Sequence, residues 1–117
     1  MSYVDGFVVP VPKANKDAYK AMAAKFAPLF KEFGAAQIVE CWGDDIPQGK
    51  ITDLWGAVKA RPDENVVLAW IVWPSKSVRD VGMKRFAEDP RMKIDETAPF
   101  DATRMIFGGF EIILDVK

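Results

Sequence analysis

Residues 66–73 read VVLAWIVW, and this unbroken apolar run decides the fold. Successive side chains of a β-strand point to opposite faces of its sheet. The run therefore divides into two apolar sets, Val66, Leu68, Trp70 and Val72 on one face and Val67, Ala69, Ile71 and Trp73 on the other. Such a run is typical of a strand that is covered on both faces. Both of its faces need cover, because each exposed Å² of apolar surface forgoes about 25 cal/mol.

A strand, a helix and a second strand are predicted before this run. Residues 3–10, YVDGFVVP, are β-branched and aromatic, and the strand is expected to end at the prolines of PVPK. Apolar residues then recur at helical spacing between Asn15, a helix-capping residue type, and Gly34, which predicts a helix bent at Pro28. Residues 35–43, AAQIVECWG, predict the second strand.

The remaining segments predict one more helix and one or two strands. Residues 51–60, ITDLWGAVKA, fit either a short strand or a helical turn, and a strand in a hairpin with the central run is the favoured interpretation. Ser77 and Asp80 have the spacing of a capping box, which predicts a second helix that ends near Glu88. The last strand is expected within residues 104–116, where paired glycines indicate a bulge or a close approach to the backbone.

The order β-α-β-(β)-β-α-β predicts an α+β protein with the ferredoxin-like, split βαβ arrangement. In that arrangement both helices cover one face of an antiparallel sheet and leave the other face bare. A second copy of the chain is the economical cover for the apolar bare face. We therefore expect residues 1–117 to form a single domain that pairs as a homodimer through its sheet face, giving a dimeric α/β barrel.

The composition excludes several classes of function. Sixteen basic and seventeen acidic residues give a net charge of −1, so neither a nucleic acid nor an anionic membrane surface is an expected partner. The chain has no histidine, which removes serine-histidine and cysteine-histidine catalysis and the commonest zinc ligand. No metal site and no cofactor are predicted.

The expected location is the cytoplasm. No apolar run approaches the length of a membrane span, and the N-terminal MSYVDGFVVP lacks the basic region of a signal peptide. The single cysteine, Cys41, cannot form an internal disulfide, which fits a reducing compartment.

Five ordered strings carry a resemblance to a known family: MSYVDGFVVPVPK, VECWGDD, WPSKSVRD, DPRM and RMIFGGF. With them, the chain resembles the YbaA-like bacterial family, known as domain of unknown function 1428, nearly from end to end. The resemblance implies the dimeric α/β-barrel superfamily, in which two ferredoxin-like units bring their sheets together. That superfamily includes cofactor-free monooxygenases and haem-degrading enzymes, the latter usually dependent on a histidine that this chain lacks. The family's role is unassigned, so no catalytic residue carries over.

Acidic residues within apolar strands are the candidate proton acceptors. Glu40 lies in the second predicted strand, Asp5 in the first and Glu111 in the last. An acid in such a place must be paired, exposed at an edge or directed into a pocket, and the sequence does not fix whether the three come together. Pairing with Arg79, Arg104 or a lysine is the commoner fate. Glu40, Asp5 and Tyr3 are nevertheless the residues that could take a proton from a bound substrate.

Aromatic residues predict a ligand cavity between sheet and helices. Its expected walls are Trp42, Trp70, Phe107 and Phe110, and its expected floor is Gly108 and Gly109. Tryptophans serve cores and dimer interfaces more often than ligand sites. Three functions stay open: binding of a small apolar or aromatic molecule, cofactor-independent oxygenation or isomerisation of a ring substrate, and a non-catalytic structural or interaction role.

Overall fold

A computed structural model describes residues 2–93 and 97–117 of the chain. Its strands and helices follow one another as β1 Tyr3–Pro12, α1 Lys16–Glu32, β2 Gln37–Trp42, α2 Leu54–Ala57, β3 Glu64–Trp73, α3 Lys76–Glu88 and β4 Ile106–Glu111. Short 3₁₀ turns occupy Lys13–Asn15, Pro90–Met92 and Ala102–Arg104. Within the described ranges, none of the helices is long and apolar enough to cross a membrane.

The four strands form one antiparallel sheet in the order β2-β3-β1-β4. The strand that contains residues 66–73, β3, is internal, and β1 is the other internal strand. β1-α1-β2 and β3-α3-β4 are βαβ-like units, and each unit's two strands are separated by one strand of the other unit. The α+β class and the antiparallel sheet are confirmed. The sheet is open at β2 and β4 rather than closed into a barrel.

The first strand continues through its prolines, so the prediction that it ends there is wrong. Pro10 and Pro12 pair with Val66 and Glu64 of β3. The N–H of Lys13 donates to the carbonyl oxygen of Asp63 across the β1–β3 ladder at 2.9 Å. Because alternate residues direct their N–H groups to opposite edges, the two prolines lack theirs on the side away from β3. Pairing with β4 stops at Val8, so no ladder bond is lost.

The first helix has the predicted extent but a different N-terminal contact. Asn15 stands at the N-cap position, yet its side-chain amide donates to the carbonyl oxygen of Pro99 at 2.9 Å instead of capping the helix. Gly34 follows the helix with φ +113°, a conformation that glycine adopts without strain. The helix runs through Pro28 without a break.

The segment between β2 and β3 contains no strand, so the predicted hairpin of residues 51–60 is wrong. Its regular structure is the four-residue helix α2. The carboxylate of Asp53 accepts the N–H of Gly56 at 2.6 Å and that of Gly49 at 3.0 Å. The bond from Gly56 caps the helical turn and the bond from Gly49 fixes the preceding loop, and together they compete with an extended conformation.

Helices α1 and α3 both pack on one face of the sheet. One core cluster joins Val9, Val11, Tyr19, Val67 and Ala69, and a second joins Phe33, Ala35, Ile71, Trp73 and Met92. The second cluster receives Phe26 and Phe30 from α1 and Val78 and Phe86 from α3. The face of β3 that carries Val67, Ala69, Ile71 and Trp73 is therefore the covered face.

Two boundaries near the C-terminus differ from their predictions. The cap of α3 is Ser75, whose hydroxyl accepts the N–H of Val78 at 3.2 Å, so the predicted capping box at Ser77 lies two residues too late. The end of α3 at Glu88 is confirmed. The last strand ends at Glu111, because Glu111 pairs with Tyr3 and β1 extends no further.

The opposite face of the sheet, here called the open face, is apolar and partly exposed. Leu68 is 46% exposed and Phe110 is 61% exposed. Gly6 and Gly108 pair across β1 and β4, and the ring of Phe110 lies close to both. The β1–β4 ladder pairs residues one to one from Tyr3 to Val8, so the predicted bulge is absent and the glycines instead make room for side chains.

Candidate functional site

A cleft of about 320 Å³ opens between α1 and the edge strand β2. We call it the α1–β2 cleft. Its walls are mostly apolar, and it is lined by Lys16, Tyr19, Lys20, Ala23, Ala24, Ala27, Ile38, Glu40, Cys41, Trp42 and Val67. Short alanine side chains on α1 leave this space open, since longer side chains at the same positions would reach β2.

A smaller apolar pocket of about 110 Å³ continues the cleft towards the core. The two spaces share Tyr19, Ala23, Ala27, Ile38 and Glu40. The rest of the inner pocket is walled largely by aromatic and methionine side chains: Phe7, Met22, Phe26, Phe30, Phe86, Met92 and Met105. Apolar walls with a few convergent polar groups are the usual chemistry of a small-molecule site.

Glu40 and Tyr19 form the polar pair between these two spaces. The hydroxyl of Tyr19 donates to Oε1 of Glu40 at 2.7 Å. Partial burial raises the pKa of the Glu40 carboxyl, and the hydrogen bond from Tyr19 opposes that rise only in part. Burial, followed by the nearby Glu40 carboxylate, raises the pKa of Tyr19, so the phenol stays protonated.

The register of β2 explains why Glu40 faces this cleft. Glu40 pairs with Ala69 of β3, whose side chain belongs to the covered face. Side chains of paired residues lie on the same side of a sheet, so Glu40 points towards α1. Since β2 is an edge strand, part of the Glu40 side chain stays in contact with solvent through the open cleft.

The rim of the cleft is basic and aromatic. Nζ of Lys16 lies 5.6 Å from the centre of the Trp42 ring, a distance at which a cation and an aromatic face attract each other. Lys20 lies one helical turn beyond Lys16 and lines the same space. Trp42 therefore lines the cleft.

Asp5 is buried in an ion pair and does not line the cleft. Its carboxylate accepts Nε and Nη2 of Arg79, the latter at 2.8 Å, and Nε1 of Trp73 at 2.9 Å. The guanidinium also lies over the ring of Tyr3, 5.2 Å from its centre. Asp5 is therefore paired with an arginine, which is the commoner arrangement for an acid within a strand. Gly109 lies beside this group, where a Cβ would overlap Tyr3 and Arg79.

The three strand acids are not brought together. Asp5 pairs across the ladder with Gly109, and Glu111 pairs with Tyr3 on the exposed edge strand β4. Glu40 lies on β2, separated from β1 by β3. Of the candidate proton acceptors Glu40, Asp5 and Tyr3, only Glu40 lines the α1–β2 cleft. The ring of Tyr3 lies under the guanidinium of Arg79.

A comparison with known sequences identifies the family. The sequence model described as "Protein of unknown function (DUF1428)" matches residues 2–102. The chain belongs to the DUF1428 family. It is also 61% identical over 116 residues to the uncharacterized protein YbaA of Escherichia coli strain K12, covering 98% of this chain and 99% of that one. A YbaA protein of Shigella flexneri matches to the same extent. These names state no activity.

The aromatic residues predicted as cavity walls are divided between the two faces in this DUF1428 chain. Trp42 shares the covered face with Phe107, whose ring stacks on Phe7 at 6.1 Å between centres. Trp70 pairs with Gly6, and Phe110 lies over the same glycine, so both belong to the open face. The six predicted ligand-binding residues therefore do not enclose one space.

Tyr19, Lys16 and Lys20 are not among the site residues that the sequence predicts. Tyr19 is one of the residues that recur at helical spacing in α1, and its ring belongs to a core cluster. The available signal was the run of alanines at residues 23, 24 and 27 on a helix otherwise rich in phenylalanine. Within residues 2–93 and 97–117, no three acidic or cysteine side chains group as metal ligands would.

Proposed function

We propose that this protein binds a small apolar or aromatic molecule in the α1–β2 cleft, with Glu40 accepting a hydrogen bond from the ligand. The observation that carries the proposal is the Glu40–Tyr19 pair at the junction of the cleft and the apolar inner pocket. A carboxylate and a phenol in an otherwise apolar space give orientation, while the apolar walls supply affinity.

The hydrogen-bonding capacity of the pair supports this role. Tyr19 occupies Oε1 of Glu40, and a carboxylate has further lone pairs that can accept from a ligand hydroxyl or N–H group. The phenol oxygen of Tyr19 can itself accept a hydrogen bond. A ligand with one donor could therefore bind to the pair without breaking it.

A thermal-shift screen of apolar and aromatic metabolites tests the proposal, because a ligand that binds only the folded state raises its melting temperature. We expect Ala24→Trp, which fills the cleft, to abolish the shift of any true ligand. Ala21→Trp is the matched control, since Ala21 is exposed on the same helix and does not line the cleft. Shifts that survive Ala24→Trp, or a screen without any shift, would contradict the proposal.

Proton abstraction is the second candidate function, favoured by the raised pKa of Glu40. A carboxylate with a raised pKa is a better base, and Tyr19 would hold it in position. The corresponding activity is cofactor-independent oxygenation or isomerisation of a ring substrate. A Glu40→Gln variant that turned over a discovered substrate at the wild-type rate would eliminate this function. The open cleft favours both candidates over a purely structural role.

We further propose that the fold is ferredoxin-like and that two copies pair through their open faces, as in the dimeric α/β-barrel superfamily. The strand order β2-β3-β1-β4 and the placement of both packed helices on one face support this assignment. Exposed apolar residues on the open face, Ile106, Phe110 and Leu68, support self-association, because a second copy would remove them from water.

A further inference from the structure

Two lysines stand at the mouth of the α1–β2 cleft. Lys16 and Lys20 both line the cleft, one helical turn apart. Among the ion pairs of residues 2–93 and 97–117, none includes either ammonium group. Their charges therefore act on whatever enters the cleft.

The position of these lysines in α1 works against the helix itself. Both lie in its first five residues, where the helix dipole is positive and a cation is disfavoured. Like charges one turn apart also repel each other. Contact with the ring of Trp42 holds the ammonium group of Lys16 at the rim. The result is a positive potential at one end of an apolar space, to which the helix terminus adds.

We propose that the ligand of the α1–β2 cleft is an amphipathic anion, a small apolar or aromatic acid whose carboxylate lies near Lys16 and Lys20. This inference rests on the proposed function and adds the charge and orientation of the ligand. Glu40 is the acidic group that lines the cleft, and it repels an anion from the inner end. The acid group therefore faces the rim, and the apolar part extends past Glu40 towards Phe26, Phe30 and Met92.

Two probes of nearly equal shape test the charge: 3-(4-hydroxyphenyl)propanoate and its neutral amide, 3-(4-hydroxyphenyl)propanamide, each of which carries a phenol that can donate to Glu40. Isothermal titration calorimetry with the full chain measures both dissociation constants. We expect the acid to bind at least about fivefold more tightly than the amide, since two partly exposed lysines contribute modestly. Added salt should lower the affinity for the acid and leave the affinity for the amide unchanged.

Variants locate the effect. Lys16→Met with Lys20→Met should remove the preference for the acid without changing the affinity for the amide. Lys50→Met with Lys84→Met is the matched control, because it removes the same charge from exposed positions outside the cleft. This control should preserve the preference.

The outcomes separate the two proposals. Equal affinity for acid and amide, or a preference that survives the Lys16 and Lys20 substitutions, overturns the anion proposal. If Ala24→Trp still abolishes binding in that case, the cleft remains a ligand site. If neither probe binds while neutral apolar compounds do, the anion proposal is likewise overturned. If no compound binds at all, the proposed function itself is overturned.

Discussion

The two faces of the sheet are almost equally apolar in sequence but differ in how they are completed. On β3, Ile71 of the covered face is 4% exposed, whereas Leu68 of the open face is 46% exposed. The covered face also encloses an ion pair between Asp5 and Arg79. At its edge beside β2, the helix α1 covers the sheet incompletely and leaves the α1–β2 cleft. An apolar pattern thus shows that a face needs cover, while the neighbouring elements decide what supplies it.

Removing the cation from the buried pair on the covered face should have the largest effect. Arg79→Ala leaves the carboxylate of Asp5, 4% exposed, without its charge partner and should cost about 4 kcal/mol of unfolding free energy. Urea denaturation measures the loss. Lys76→Ala is the control, because its pair with Asp80 is exposed and should contribute less than about 1 kcal/mol. Equal losses would show that Asp5 does not depend on Arg79.

Truncating one apolar residue on each face of β3 compares the faces directly. Ile71→Ala should cost about 3 kcal/mol, since it opens a cavity between the sheet and both helices. Leu68→Ala should cost about 1 kcal/mol in dilute protein and more as the concentration rises, because dimerisation would bury Leu68. Urea denaturation over a hundredfold concentration range distinguishes the cases. A concentration-independent cost for Leu68→Ala would argue against an interface at this residue.

Self-association through the open face has its own matched pair of variants. Phe110 and Val81 are both 61% exposed, the first on the open face and the second on the outer surface of α3. Phe110→Ala should weaken dimerisation about tenfold, equivalent to about 1.4 kcal/mol, and Val81→Ala should leave it unchanged. Sedimentation velocity measures both. A wild-type chain that stays monomeric at high micromolar concentration would contradict the proposed dimer.

The sequence predicts the parts of this fold that depend on periodicity. The unbroken apolar run of β3 predicts a strand with two apolar faces, and the helical spacing after Asn15 predicts α1. Local hydrogen-bond choices are harder to foresee, because Asn15, Ser75 and Asp53 each have several possible partners of similar energy.

The site was predictable only in part, because it depends on pairing register. Period two places Glu40 and Trp42 on one side of β2, and both do line the cleft. Alternation within a strand does not determine which face of a neighbouring strand shares that side. The sequence therefore predicts Trp70 and Phe110 in the same cavity as Trp42, whereas both lie on the open face. Tyr19 reaches Glu40 only through tertiary packing of α1.

The smallest expected effect is the contribution of Glu40, in the α1–β2 cleft, to the pH dependence of the unfolding free energy. Burial raises the pKa of Glu40 above its ordinary 4.5, so the folded state binds this proton more tightly than the unfolded state. Stability from Glu40 is therefore lost as pH rises from about 4.5 through the folded pKa. Glu40→Gln lacks this titration, so its unfolding free energy relative to wild type should increase over that interval.

Asp101 provides a control of opposite sign. Hydrogen bonds from Thr103 and Arg104 lower the pKa of Asp101 from 3.8 to about 2. Its stabilising contribution is therefore present above pH 3.8 and is lost as pH falls towards 2. The unfolding free energy of Asp101→Asn relative to wild type should therefore decrease as pH rises from about 2 to 3.8. Urea titrations at closely spaced pH values measure both differences. A Glu40→Gln difference with the same sign as that of Asp101→Asn would mean that the Tyr19 hydrogen bond outweighs burial, and that Glu40 is a poor candidate base.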